Sequence, residues 1–208
     1  MTITEKTMTL AETQNEPTNT SASACPPSEQ NKFYLSANDY LHDVWRLAAA
    51  IRKSGWRPDV LIALWRGGAP VGIAVHEFFR AAGWDVRHMP LKCSSYSGIG
   101  DNHGEVRLVL EEEVFSLLKQ GERVLVVDDV FDTGKTAETV LSHLEARGFE
   151  ARLACVYLKS GVNCVTDRRP AYIVRDLGPQ WLVFPHEIVG LSSGELAAKD
   201  PLLAELLG

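Results

Sequence analysis

Cysteine is scarce in this 208-residue chain: Cys25, Cys93, Cys155 and Cys164 stand alone, with no C-x-x-C pair among them. That spacing excludes a zinc ribbon and a dithiol redox motif, so reduced structural thiols are expected. None of the six histidines lies in an H-E-x-x-H pattern, which removes the zinc-protease signature. Basic runs are missing and the formal net charge is −6, which argues against nonspecific nucleic-acid binding. No apolar stretch approaches the roughly 18 residues needed to span a bilayer, and the N-terminus shows no apolar h-region. A cytoplasmic chain with neither a nucleic-acid nor a membrane partner is therefore expected. Large apolar residues are also sparse over residues 1–30, which are rich in Thr, Ser, Asn, Glu and Pro. Such a stretch buries too little surface to offset its ordering entropy and is expected to be a mobile tail. The remainder, residues 31–208, suits one domain, and an overall composition of 45% hydrophobic and 23% charged residues is ordinary for a globular protein.

Past the tail, helical and strand patterns alternate. Ser36 to Asp39 is a capping-box-like start, followed by Tyr40, Val44, Leu47, Ala48 and Ile51 at helical spacing. Residues 59–64 read as a buried strand, 70–82 as a helix closed by Gly83, and 85–91 as an edge-like strand. The small, polar, glycine-rich run 92–104 reads as a loop, 106–110 as a strand, and 111–120 as a short acidic helix with a solvated face. Strands are expected again at 151–158 and 171–176, and a helix interrupted at Pro201 closes the chain. Strands alternating with helices imply an α/β, doubly wound parallel sheet with right-handed crossovers, here of five strands.

Residues 124–140 hold the strongest motif. Four apolar residues, Val124 to Val127, form a buried parallel strand that ends in Asp128 and Asp129. The turn Asp132-Thr133-Gly134-Lys135-Thr136 then opens a helix carrying Ala137, Val140, Leu141 and Leu144 inward. Ligands bind outside the carboxyl ends of such strands, and free N–H groups at a helix start attract phosphate. Acids beside an anion site suit a phosphorylated sugar with a metal ion. A P-loop is the rival, since Gly134-Lys135-Thr136 resembles its ending. It needs a glycine five residues before Gly134, where this chain has Asp129. An ordinary strand–turn–helix with solvated acids is the plainer alternative.

This run resembles the 5-phosphoribosyl diphosphate (PRPP) signature of the type I phosphoribosyltransferases. The resemblance covers about residues 59–187 and is closest to the bacterial xanthine, guanine and hypoxanthine enzymes. It implies a Rossmann-type core with a small hood, from about 31–55 and 178–192. It further implies transfer of the phosphoribosyl group of PRPP to a 6-oxopurine, a Mg²⁺ requirement, and a homodimer or homotetramer. By the same resemblance Asp128 and Asp129 hold the ribose, and Asp132, Thr133, Gly134, Lys135 and Thr136 the 5′-phosphate. Asp132 is also the implied proton acceptor near N7 of the purine. Arg66-Gly67, after the 59–64 strand, match the diphosphate loop, and Ser95 and Tyr96 match the start of a lid that closes over the site.

Lys159 matches the donor to the 6-oxo group, although a lysine past a strand is also an ordinary solubilising end. Trp181 matches the residue that stacks on the base, with Leu182 beside it, although a core tryptophan would read the same. Asp129 and Glu187 are the implied metal acids. Glu187 stands where relatives have aspartate, His186 replaces an aromatic, and Val183 replaces an acid. The Val183 change leaves selection at the purine 2-position open. A different acceptor base, such as adenine or a pyrimidine, and a noncatalytic nucleotide-binding regulator of the same fold are the alternative readings.

Overall fold

The computed structural model describes residues 32–96, 107–110 and 112–208. Its elements in order are β1 (Lys32–Tyr34), α1 (Ala37–Lys53), β2 (Val60–Trp65), α2 (Gly68–Ala81), β3 (Arg87–Tyr96), β4 (Arg107–Leu110) and α3 (Glu112–Ser116). They continue as β5 (Arg123–Phe131), α4 (Lys135–Ala146), β6 (Glu150–Leu158), β7 (Tyr172–Asp176), β8 (Trp181–Val183), α5 (Ser193–Lys199) and α6 (Pro201–Leu207). The main sheet runs β4-β3-β2-β5-β6-β7, and all its pairs are parallel except β3 with β4. The tail expected over residues 1–30 lies outside the described residues. Among these residues no helix is long and apolar enough to cross a membrane.

Alternation along each strand divides the core between the two faces. Leu61, Ala63, Leu125, Val127 and Val156 point to one side, against Val44, Leu47 and Ile51 of α1 and Val71, Val75 and Phe79 of α2. Val60, Ile62, Val124, Val126 and Leu153 point to the other, against Val140 and Leu144 of α4 and Phe115 of α3. Burying each large side chain stabilises the fold by roughly 1.5–3 kcal/mol. α1 begins where expected, the Asp39 N–H donating to the Ser36 hydroxyl at 3.1 Å.

The five parallel strands expected are β3, β2, β5, β6 and β7, and among the described residues β4 joins them antiparallel at the end of β3. Three expectations are corrected. The loop expected from residue 92 is strand as far as Tyr96, since Cys93 to Tyr96 find partners in residues 107–110; residues 97–104 of that loop lie outside the described residues. The acidic helix expected over 111–120 is only the short α3. β5 continues through both aspartates to Phe131, because β6 pairs alongside it as far as Leu158. A further element had no sequence signal. The segment around Trp181 forms β8, which pairs in parallel with β1 as a separate two-stranded sheet.

Asp43 ties α1 to the sheet. It is completely buried and accepts hydrogen bonds from Arg46 Nη1 (2.7 Å), Arg175 Nη2 (2.9 Å) and the Tyr157 hydroxyl (3.0 Å). Removing the carboxylate leaves a buried hydroxyl and two arginines without their acceptor. Asp43→Ala is expected to destabilise the protein by about 3 kcal/mol, read as a lower urea midpoint. A loss below about 0.5 kcal/mol would show that solvent already screens both arginines.

Candidate active site

β2 and β5 are neighbours in register, Val60 opposite Val124 and Ala63 opposite Val127, so their carboxyl ends meet. Here the connections diverge, α2 leaving β2 toward one face and α4 leaving β5 toward the other. Crevices at such switch points are where open α/β sheets bind ligands. The turn after β2 lies directly on the β5 acids. A Cβ on Gly67 would stand 2.1 Å from Asp129 Oδ2, and one on Gly68 would stand 2.5 Å from the Val127 carbonyl oxygen. The glycine pair is therefore a requirement for close approach. The Trp65–Arg66 peptide that leads into it is cis.

The turn after β5 makes the second part of the site. Gly134 has φ 78° at the N-cap of α4, and a Cβ there would meet Thr166 Cγ2 at 2.6 Å. Asp128, Asp132, Thr133, Gly134, Lys135 and Thr136 line a cavity of about 80 Å³. The cavity lies at the N-terminus of α4, where unpaired main-chain N–H groups favour an anion.

Lys159, just past β6, assembles the third part. Its Nζ donates to Asp132 Oδ2 at 3.0 Å and stands 5.6 Å from the centre of the Trp181 ring, within cation–π range. Trp181 is 50% exposed, so it keeps an open face and is no core tryptophan. Leu182 is different: its side chain is buried in the core, which leaves only its main chain for contact with a ligand.

Arg66, Gly67, Asp129, His186 and Glu187 border a cavity of about 240 Å³. Burial raises the Asp129 carboxyl above the usual carboxylate range, and the charge of Glu187 adds to the rise. Asp128 is also raised, by the loss of solvation first and by Asp129 second. The buried Tyr40 hydroxyl is without a hydrogen-bond partner. Burial raises its pKa most, followed by the charge of Asp129. These carboxylates are thus held in a place that disfavours their charge, the arrangement expected where a cation completes the site. Ser95 and Tyr96 end β3, opposite Leu108 and Arg107 of β4. Since Lys92 is level with Trp65, that end of β3 projects past β2 on the side of the acids.

A family model of the phosphoribosyl transferase domain matches residues 34–187, well over half of the chain. The chain belongs to that family.

As a phosphoribosyltransferase it is a pentosyl-transferring enzyme. It is similar to the purine phosphoribosyltransferase of Pyrococcus horikoshii Ot3, at 27% identity over 78% of this chain and 98% of that one, with a TM-score of 0.61. A Neisseria gonorrhoeae protein solved with bound ppGpp is similar at 22% identity, over 86% and 98% of the two chains, with a TM-score of 0.64. The Helicobacter pylori xanthine-guanine-hypoxanthine phosphoribosyltransferase is similar at 22% identity, over 76% and 94%, with a TM-score of 0.60. At these identities the last two show the shared fold alone.

The candidate site also depends on residues that sequence reasoning missed. Lys199 of α5 donates to the carbonyls of Phe184 (2.7 Å) and Glu187, fixing the segment that carries Glu187. Lys32 pairs with Glu195, which joins the same helix to β1. A lysine in a terminal helix has no pattern that announces such a contact.

The raised Asp128 carboxyl has a consequence for stability. The folded protein holds a proton that the unfolded chain releases, so this group makes the fold less stable as pH rises from about 4 toward its elevated folded value. Asp128→Asn removes the penalty while keeping the oxygen that accepts from the Asp129 N–H at 3.1 Å. In Mg²⁺-free buffer Asp128→Asn is expected to melt higher than the parent at pH 7.5, with the gain vanishing near pH 4. Thermal scans across that range check it, and a lower Tm at pH 7.5 would contradict the burial of the charge.

Proposed function

We propose that the enzyme transfers the 5-phosphoribosyl group of PRPP to xanthine, guanine or hypoxanthine, giving the nucleoside 5′-monophosphate and pyrophosphate in purine salvage. The observation that carries this reading is the Asp132–Lys159–Trp181 group beside the anion cavity. A 6-oxopurine presents its O6 acceptor next to N7 on one edge. An ammonium and a carboxylate 3.0 Å apart match that edge when N7 carries a proton: Lys159 donates to O6 while Asp132 accepts from N7–H. Adenine would place an amino donor against the ammonium, a mismatch. The exposed indole of Trp181 supplies a stacking face.

In this reading the 5′-phosphate occupies the cavity at the start of α4, held by main-chain amides and hydroxyls of residues 133–136. Lys135 lies at its border. Anchoring that remote group orients C1′ toward the base nitrogen, an effect worth several kcal/mol. Asp128 and Asp129 hold the ribose hydroxyls, and whichever of the pair is ionised favours the cationic ribosyl carbon that develops as the bond to diphosphate breaks. The diphosphate lies at the Arg66-Gly67 turn, with Ser95 and Tyr96 approaching from β3. Asp132 takes the purine proton as the glycosidic bond forms.

Asp129 and Glu187 fit Mg²⁺, which is commonly held by one or two carboxylates together with substrate phosphates and water. When bound, the ion neutralises charge on the leaving diphosphate. The same reading implies a cytoplasmic setting, where PRPP and free purines meet, and a homodimer or homotetramer.

The direct test is incubation with PRPP, Mg²⁺ and a panel of bases, following pyrophosphate release. Turnover with at least one of xanthine, guanine and hypoxanthine, and little with adenine or pyrimidines, is expected; failure of all three 6-oxopurines overturns the proposal. Asp132→Asn is expected to lower kcat by about 10²-fold with PRPP binding nearly unchanged. Parent-like turnover in that variant would remove Asp132 as proton acceptor.

A further inference from the structure

The segment between β6 and β7 has neither helix nor strand over residues 159–171, yet it is bound tightly to the turn that precedes α4. Lys159 N donates to the Phe131 carbonyl at 2.9 Å, and Val165 N to the Thr133 carbonyl at 2.9 Å. Cys164 Sγ lies 3.6 Å from the Asp132 carbonyl oxygen. Three successive carbonyls of the turn are thus directed into this segment. In a planar trans peptide the carbonyl and the following N–H point in opposite directions. Holding the carbonyls of Phe131, Asp132 and Thr133 outward therefore turns the N–H groups of Asp132, Thr133 and Gly134 the other way, toward the anion cavity.

One side chain secures this segment to α4. Arg168 Nε donates to Glu138 Oε2 at 2.9 Å, and its Nη1 and Nη2 donate to the two oxygens of Glu145 at 2.7 Å each. Nη2 also reaches the Ser142 hydroxyl at 3.2 Å. Thr166, whose methyl occupies the space denied to a Cβ at Gly134, donates to Glu138 and accepts from the Arg168 N–H at 3.1 Å. The planar guanidinium fork suits this two-carboxylate grip in a way that a lysine ammonium does not. Glu138 itself lies in the first turn of α4. Its negative charge stands within about 6 Å, along the helix axis, of the end that would receive a phosphate. Unpaired, it would oppose that anion.

We infer that Arg168 is a positioning residue of the phosphate site. It clamps residues 159–168 against the turn so that the turn's amides face the cavity, and it offsets part of the Glu138 charge at the mouth of α4. This rests on the 5′-phosphate binding at residues 133–136. No contact between Arg168 and the reacting atoms is required, so its removal acts on affinity for the phosphorylated sugar and leaves the chemical step intact.

The test is calorimetric binding of ribose 5-phosphate, paired with steady-state kinetics in PRPP. Arg168→Ala is expected to raise the Kd for ribose 5-phosphate and the KM for PRPP about tenfold, with kcat at saturating PRPP within twofold. Adding Glu138→Gln to Arg168→Ala should recover about threefold of that loss, because the repulsive charge is gone. Arg168→Lys, which keeps the cation but loses the fork, should show the same split at smaller size, and it carries the test should the alanine variant fail to fold. Parent-like Kd and KM in Arg168→Ala, or an equal fall in kcat, overturns the inference alone. Failure of the parent protein to bind ribose 5-phosphate overturns the phosphate assignment and the inference with it.

Discussion

Two adjacent carboxylates, Asp128 and Asp129, are held at the end of a buried strand with bare glycine backbone laid across them. The other parts of the site are arranged around that contact. Val124 to Val127 are completely buried, so the strand cannot slide or tilt to relieve its charged end. The separation of Gly67 from Asp129 leaves no room for a side chain. Gly72 makes a similar allowance lower down, where a Cβ would meet Ala63 Cβ at 2.5 Å, so α2 lies flat on the sheet and its first turn reaches the acids. Two acids side by side, withdrawn from water, are held where their charge is disfavoured. The surrounding core tolerates that cost.

Around this contact the fold collects groups that are distant in the chain. The turn after β2, the turn after β5 and the end of β6 meet because parallel strands bring all their carboxyl ends to one edge. The switch in strand order between β2 and β5 then opens the crevice. β3 extends past β2 on the same edge, and β8 brings Trp181 within reach of Lys159 from a separate small sheet. The C-terminal α5 completes the enclosure: Glu195 holds β1 through Lys32, and Lys199 holds the carbonyls beside Glu187. A helix with no buried residue of its own thereby governs the placement of a candidate metal acid.

Lys159 and Arg168 show how position decides the use of a cation. Both lie in the connection after β6. Lys159 is turned inward between a carboxylate and an indole, where it can donate to a bound base. Arg168 is turned outward across two turns of α4, where it holds the loop that shapes the anion cavity. In the sequence Lys159 is marked only by the family resemblance, and Arg168 by nothing.

The sequence by itself determined the α/β alternation, the doubly wound sheet, the acid pair that follows Val124 to Val127 and the glycine turns. These follow from local rules of periodicity, capping and backbone freedom, which need no knowledge of the partner. Only the tertiary structure decided that β4 adds a sixth, antiparallel strand, that β5 runs on through its acids, and that Trp181 lies in a strand beside residues 32–34. It also decided that Leu182 is buried while Trp181 stays open, and that Arg168 and Lys199 secure the loops that bear the site. Those outcomes depend on pairing between segments far apart in the chain. A strand's length is set by how far its neighbour accompanies it, and a cation's role by which carboxylate or carbonyl folding brings to it.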